Sequence, residues 1–209
     1  MIKYFVRTTL ERKLNESYNQ IEYELLIDTE HKANESFFKQ LELISEYDAV
    51  LLEDDIKLCK NFKAEIEKVI SEHPHDIINF FYKPHEWFTS HYSMSFAWNQ
   101  CTYYPKGIGK IIVNEVRKHE LPKVGYDTIE GNAMQSLGIK FYVYRPSLVQ
   151  HLDKKSLINK GNLTGTRYTP FFKDYLDDLN IDYNNTEKLS QNIDILYKMC
   201  KEDIKKTPN

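Results

Sequence analysis

The feature that most constrains this chain is the alternation of strand-like and helix-like segments through its first eighty residues. "IKYFVRT" reads as a strand from Ile2 to about Thr8, and "YELLID" as a second over residues 23–28. "ANESFFKQLELISEY" carries Phe37, Leu41 and Ile44 at helical spacing. "DAVLLE" is a third strand. "FKAEIEKVISEH" is a helix with Asn61 as its expected cap and Pro74 as its stop, and "DIINFFY" is a fourth strand. Strands joined through helices run parallel, because the crossover returns each strand in the same direction. The expectation is an α/β fold with a mixed, mostly parallel sheet flanked by helices, of the Rossmann-like kind.

That topology gives the third strand its interest. In "DAVLLEDDIKL" an apolar run ends in Glu53, Asp54 and Asp55. Adjacent carboxylates repel one another, and burying them without a partner is costly. A bound cation would remove the cost, since hard divalent ions take oxygen ligands. Alternation of side chains along a strand puts Glu53 and Asp55 on one side and Asp54 on the other. The plainer reading is a solvated acidic turn. Asp28 also ends a strand, so the topology places it on the same rim as the three acids. In open α/β sheets that rim is where ligands bind.

The rest of the chain is less regular. "YKPHEWFTSHYSMSFAWNQCTYYPKG" is rich in aromatic and polar residues, with a strand near "MSFAWNQCTYY". "GIGKIIVNEVRKH" reads as a helix. "YDTIEGNAMQSLG" reads as another, capped by Asp127 and ended by Gly138. "IKFYVYRPSLVQH" reads as a strand leading through Pro146 to His151, an imidazole placed to act as a metal ligand or to remain an ordinary surface side chain. A polar loop follows, and then a mainly helical tail.

A net charge of −3 and a pI near 6.2 give no global basic character, which argues against avid nonspecific nucleic-acid binding. Cys59, Cys101 and Cys200 are scattered without metal-ligand spacing and read as reduced thiols. "MIKYFVRTTLERK" has no signal-peptide apolar run, and no stretch reaches transmembrane length, so a cytoplasmic protein without a membrane span is expected.

Two segments carry a resemblance to a known family. "YDAVLLEDDIKLCKNF" resembles the part of GT-A glycosyltransferases that holds their Asp-x-Asp motif, and in particular the lipopolysaccharide-type enzymes of family 25. "YVYRPSLVQHLDKKS" resembles the end of that catalytic domain, and "YYPKGIGKIIVNEV" loosely resembles a helix start between them. Small phage-encoded glycosyltransferases share the arrangement. The likeness spans roughly residues 1–160, and only the segments around residues 53–55 and 146–156 are specific. It implies a GT-A catalytic domain over residues 1–169. The tail from about Phe171 has no counterpart in that resemblance, and residues 170–209 read from their own pattern as a helical extension packed on the same domain.

The resemblance further implies transfer of a sugar from a nucleotide-sugar, with a UDP-sugar expected. The acceptor hydroxyl would be on a saccharide or on a hydroxymethylated base in phage DNA. Mn²⁺ or Mg²⁺ would be held by Asp55, His151 and Glu53. Thr8, Thr9, Arg12, Asp28, Glu53 and Asp54 would surround the nucleotide. Lys154, Lys155 and Lys160, with Ser156, would lie on a loop closing over the diphosphate. Asp127 or Glu130 would take the acceptor proton, and Asp127 also suits a helix cap. Tyr82, His85, Trp87, Tyr92, Trp98 and Tyr103 are candidates for an acceptor wall, or for plain core. A metal-dependent phosphoesterase or nucleotidyltransferase would use the same strand-end carboxylates. A calcium-binding module is the non-enzymatic alternative, but "IKLCKNF" lacks the further oxygen ligands it needs.

Overall fold

The computed structural model describes residues 1–82, 91–93, 96, 98–152 and 168–206. The fold is α/β. β1 (Ile2–Thr8) lies between β2 (Glu24–Ile27) and β3 (Asp48–Glu53), parallel to both. The remaining strands of this sheet are β5 (Ile77–Asn79), β6 (Tyr92–Ser93), β7 (Cys101–Tyr104) and β8 (Phe141–Val143), giving the order β2-β1-β3-β7-β5-β8-β6. β7 runs antiparallel to both its neighbours, β5 and β8 are parallel, and β6 is antiparallel to β8. Five strands therefore point one way, and β7 and β6 point back.

Both faces of this sheet are covered, which is why β1 and β3 read as near-continuous apolar runs. Phe5, Ala49 and Leu51 face one layer, where Phe37, Leu41 and Ile112 come from α1 (Ala33–Ile44) and α3 (Ile108–Val116), beside α4 (Tyr126–Ser136). Tyr4, Val6, Val50 and Leu52 face the opposite layer. There they meet α2 (Phe62–Glu72) and the tail, which forms α5 (Lys173–Asp178), α6 (Thr186–Gln191) and α7 (Ile193–Lys206). Leu196 and Cys200 of α7 are fully buried in this second layer, so the helical tail shares the core of the domain. Buried Gln150 ties it down, donating to Thr169 O at 2.8 Å and accepting from Thr169 N at 2.9 Å. Lys57 pairs with Asp203 at 2.7 Å.

α1 and α3 approach closely at Gly109, where an added Cβ would lie 2.5 Å from the carbonyl oxygen of Leu41. Backbone cannot yield as a side-chain tip does. Gly109→Ala is therefore expected to destabilise the fold by about 1–3 kcal/mol, read as a lowered urea midpoint with unchanged slope.

Three local expectations are corrected. Residues 139–151 do not form one strand. β8 ends at Val143, the chain turns through a cis Arg145–Pro146 peptide, and β9 (Val149–His151) pairs antiparallel with β4 (Ile56–Leu58) in a separate two-stranded sheet. Proline lacks an N–H and cannot continue a ladder. Asn61 precedes α2 in a left-handed conformation with no side-chain capping bond. Asp127 is not the cap of α4: Gly125 holds that position, and Asp127 Oδ1 accepts from Thr128 N at 2.9 Å. Gly138 follows α4 with φ of 68°, as a terminating glycine should.

Candidate functional site

The register of the parallel strands sets the site. Arg7 lies opposite Glu53, and Thr8 opposite Ile27. Thr8, Asp28 and the three acids thus share one rim, at the carboxyl ends of β1, β2 and β3. β3 ends at Glu53, the chain turns at Asp54 and Asp55, and β4 begins at Ile56. Ile56 pairs with His151, so the short β4–β9 ladder carries the imidazole to the acids. These residues line a cleft of about 100 Å³ together with Thr9, Arg12, Gln100 and Tyr126.

The acids are not left to solvent. Asp54 is 5% exposed and Asp55 7%. Glu53 Oε1 accepts from Arg7 Nη1 at 2.7 Å and from Tyr126 OH at 2.6 Å, and Tyr18 OH donates to the Glu53 carbonyl. Asp54 Oδ2 accepts from Thr8 Oγ1 at 2.7 Å. Arg12 Nη1 lies between the other two carboxylates, 3.1 Å from Asp54 Oδ1 and 2.7 Å from Asp55 Oδ2. His151 Nε2 is 3.4 Å from the same Asp55 oxygen. Positive charge beside the acids comes from Arg7 and Arg12.

Electrostatics follow from burial. Desolvation raises the pKa of Glu53, with Arg7 working against it and Asp55 adding to it. Asp54 is raised by burial and by Asp55, against the Thr8 hydrogen bond and Arg12. Burial opposes the charge on Arg7, but Glu53 and Tyr126 hold that guanidinium above its ordinary pKa. Its Cζ also lies 4.4 Å from the centre of the Tyr126 ring and 4.8 Å from the centre of the Phe37 ring.

Of the residues singled out from the sequence, Thr8, Thr9, Arg12, Asp28, Glu53, Asp54, Asp55 and His151 all line this cleft. Asp28 Oδ1 accepts from Glu30 N and Lys32 N at 3.2 and 3.3 Å, which shapes the turn after β2. Glu53, expected from the sequence on the same side as Asp55, is held by Arg7 and Tyr126. Side chains alternate only while the strand lasts, and it stops at Glu53, which turns toward Arg7 and Tyr126. Glu130 is not in the cleft. It is fully buried on α4, accepting from Tyr104 OH at 2.7 Å and Asn99 Nδ2 at 2.8 Å, so it is no candidate for a base. Asp127 is partly exposed, next to Tyr126. Among the wall candidates, Tyr82 and Tyr103 are buried in the core clusters and Trp98 packs against one of them. Tyr92 lies on the far edge strand β6. Lys154, Lys155, Ser156, Lys160, His85 and Trp87 fall outside the described residues.

Sequence reasoning missed Arg7, Gln100 and Tyr126. Arg7 had a signal: a charge inside an apolar strand needs a buried partner. Gln100 and Tyr126 had none. Gln100 is nine-tenths buried, and its Oε1 has no hydrogen-bond partner, as is also true of Thr9 Oγ1. Two orphaned polar atoms in one cleft point to an absent donor or cation.

The resemblance implies a divalent cation here, and the residues can be tested for it. Among the described residues no three of His, Cys, Asp and Glu form a ligand set. A closed protein cage is therefore not the pattern. A Mg²⁺-like ion needs less: one or two carboxylates, with waters and substrate phosphates completing the shell. Asp54 and Asp55, with the orphaned Gln100 oxygen in the same cleft, fit that donor set.

No protein-family model and no curated protein matches the chain. Among solved structures it is similar to the crystal structure of A197 from STIV, with 13% identity, covering 71% of this chain and 83% of that one at a TM-score of 0.47. So distant a likeness does not bear on activity. No helix among the described residues is long and apolar enough to cross a membrane.

Proposed function

We propose that this chain is a metal-dependent glycosyltransferase of the GT-A type, taking a sugar from a nucleoside-diphosphate sugar to a hydroxyl acceptor. The observation that carries the reading is the paired Asp54–Asp55 carboxylates in a cleft at the carboxyl rim of parallel strands, with an orphaned acceptor oxygen lining the same cleft. Asp54 and Asp55 would hold Mn²⁺ or Mg²⁺, with His151 adjacent. When bound, such an ion neutralises charge developing on a diphosphate leaving group. The chain's own residues do the rest. Thr8 fixes the Asp54 carboxylate, and Glu53 locks Arg7 and Tyr126 into one wall of the cleft. Asp28, at the end of β2, would accept from ribose hydroxyls or base amines. Asp127, at the start of α4, is the remaining candidate to accept the acceptor proton.

A thermal-shift panel tests this. UDP, GDP, CDP and TDP are each added with Mn²⁺ or with chelator, to wild type and to Asp55→Ala. One nucleotide at about a hundred times its Kd is expected to raise Tm by roughly 5–10 °C, only with metal and only in the wild type. If no nucleotide shifts the protein, or the shift survives loss of Asp55, the transferase reading is wrong.

A further inference from the structure

We infer that Arg12 and a divalent cation compete for one position between Asp54 and Asp55, so that metal enters by displacing the guanidinium. This rests on the proposed metal-dependent reading of the site. A single nitrogen, Arg12 Nη1, is shared by one oxygen from each carboxylate at 3.1 and 2.7 Å. Those oxygens converge on a point of positive charge, which is what an ion bound by both would require. All three side chains are nearly buried, with 12% of the Arg12 side chain exposed, 7% of Asp54 and 10% of Asp55. Screening is weak in such surroundings, and two cations a few ångströms apart repel strongly. Co-occupancy is therefore disfavoured.

Two further observations bear on the exchange. The Oε1 atom of Gln100 accepts no hydrogen bond although the side chain is buried in the cleft. A cation that also met this oxygen would satisfy an acceptor left unpaired while Arg12 holds the carboxylates. Arg12 itself lies in the irregular segment between β1 and the 3-10 turn Glu16–Gln20. Its departure breaks no strand or helix. Thr8 stays bonded to the other oxygen of Asp54, so the carboxylate keeps its aim during the exchange. The consequence is a site that is electrostatically satisfied without metal and binds metal weakly, because each ion must first break the arginine pairs.

The test is Mn²⁺ alone, titrated calorimetrically into the full chain as wild type, Arg12→Gln and Arg12→Gln/Asp55→Asn. Arg12→Gln is expected to bind Mn²⁺ at least about tenfold tighter than wild type, since the competing charge is gone, and the double variant to lose the gain. Wild type is also treated with phenylglyoxal, with and without Mn²⁺, and modification of Arg12 is followed by peptide mass spectrometry. Displacement predicts faster modification of Arg12 when metal is present, and this arm needs no variant to fold. Metal binding by wild type with equal or weaker binding by Arg12→Gln, or slower Arg12 modification with metal, overturns the competition and leaves the metal site standing. Absence of Mn²⁺ binding in both proteins overturns the competition and the metal-dependent reading together.

Discussion

Arg7→Met is expected to lower the free energy of unfolding by about 3–5 kcal/mol, the usual cost of leaving one partner of a buried ion pair unpaired. Methionine keeps an apolar side chain beside the stacked Phe37 and Tyr126 rings. It removes the donor that meets Glu53 Oε1 at 2.7 Å and the one that meets Gln40 Oε1 at 2.8 Å. Burial already raises the Glu53 pKa, and Arg7 exerts the largest effect holding it down. Adding Glu53→Gln to Arg7→Met removes the stranded charge, so the double variant should recover part of the loss. The coupling, measured by urea unfolding of all four proteins, is expected to exceed about 1 kcal/mol. If Arg7→Met alone costs under about 1 kcal/mol, the pair is not a buried one in solution.

Stability is also expected to fall as pH rises toward 8, with Glu130 as a main cause. Burial pushes the Glu130 carboxyl up to about 8 from its ordinary 4.5, against the hydrogen bonds from Tyr104 and Asn99. Between those values the native state keeps a proton that the unfolded chain has released. The native state then binds more protons, and unfolding free energy decreases with pH across that window and levels off above it. Glu53 and Asp54, also raised, act in the same direction. Glu130→Gln isolates one contribution. Its denaturation midpoint should lose less than the wild type's between about pH 5 and about pH 8, by an amount on the order of a few kcal/mol in free energy. Identical slopes would mean that Glu130 titrates as an ordinary surface acid.

Much of the architecture was legible because it is written locally. Apolar periodicity identified β1, β2, β3 and β5, the helices between them and the helical character of the tail. Strand direction followed from the crossovers, and with it the rim on which Asp28 and the three acids lie. Pro146 carried a signal that a ladder stops, but the sequence reads as one strand through it to His151, and no local pattern tells that β9 leaves the main sheet. The insertion of β7 between β3 and β5 was not legible, since its pairing depends on segments some fifty positions back and twenty-five positions back in the chain.

The sequence by itself determined that three carboxylates end a buried strand, and left open whether solvent or positive charge meets them. Tertiary structure decided where that charge comes from. Glu53 meets Tyr126 across 73 positions of sequence, and Asp54 meets Arg12 across 42. It also decided that Glu130, three residues beyond Asp127, faces Tyr104 and Asn99 in the interior. Periodicity tells which face and which end of an element a side chain occupies. What stands opposite it depends on how distant elements pack, and no local pattern encodes that.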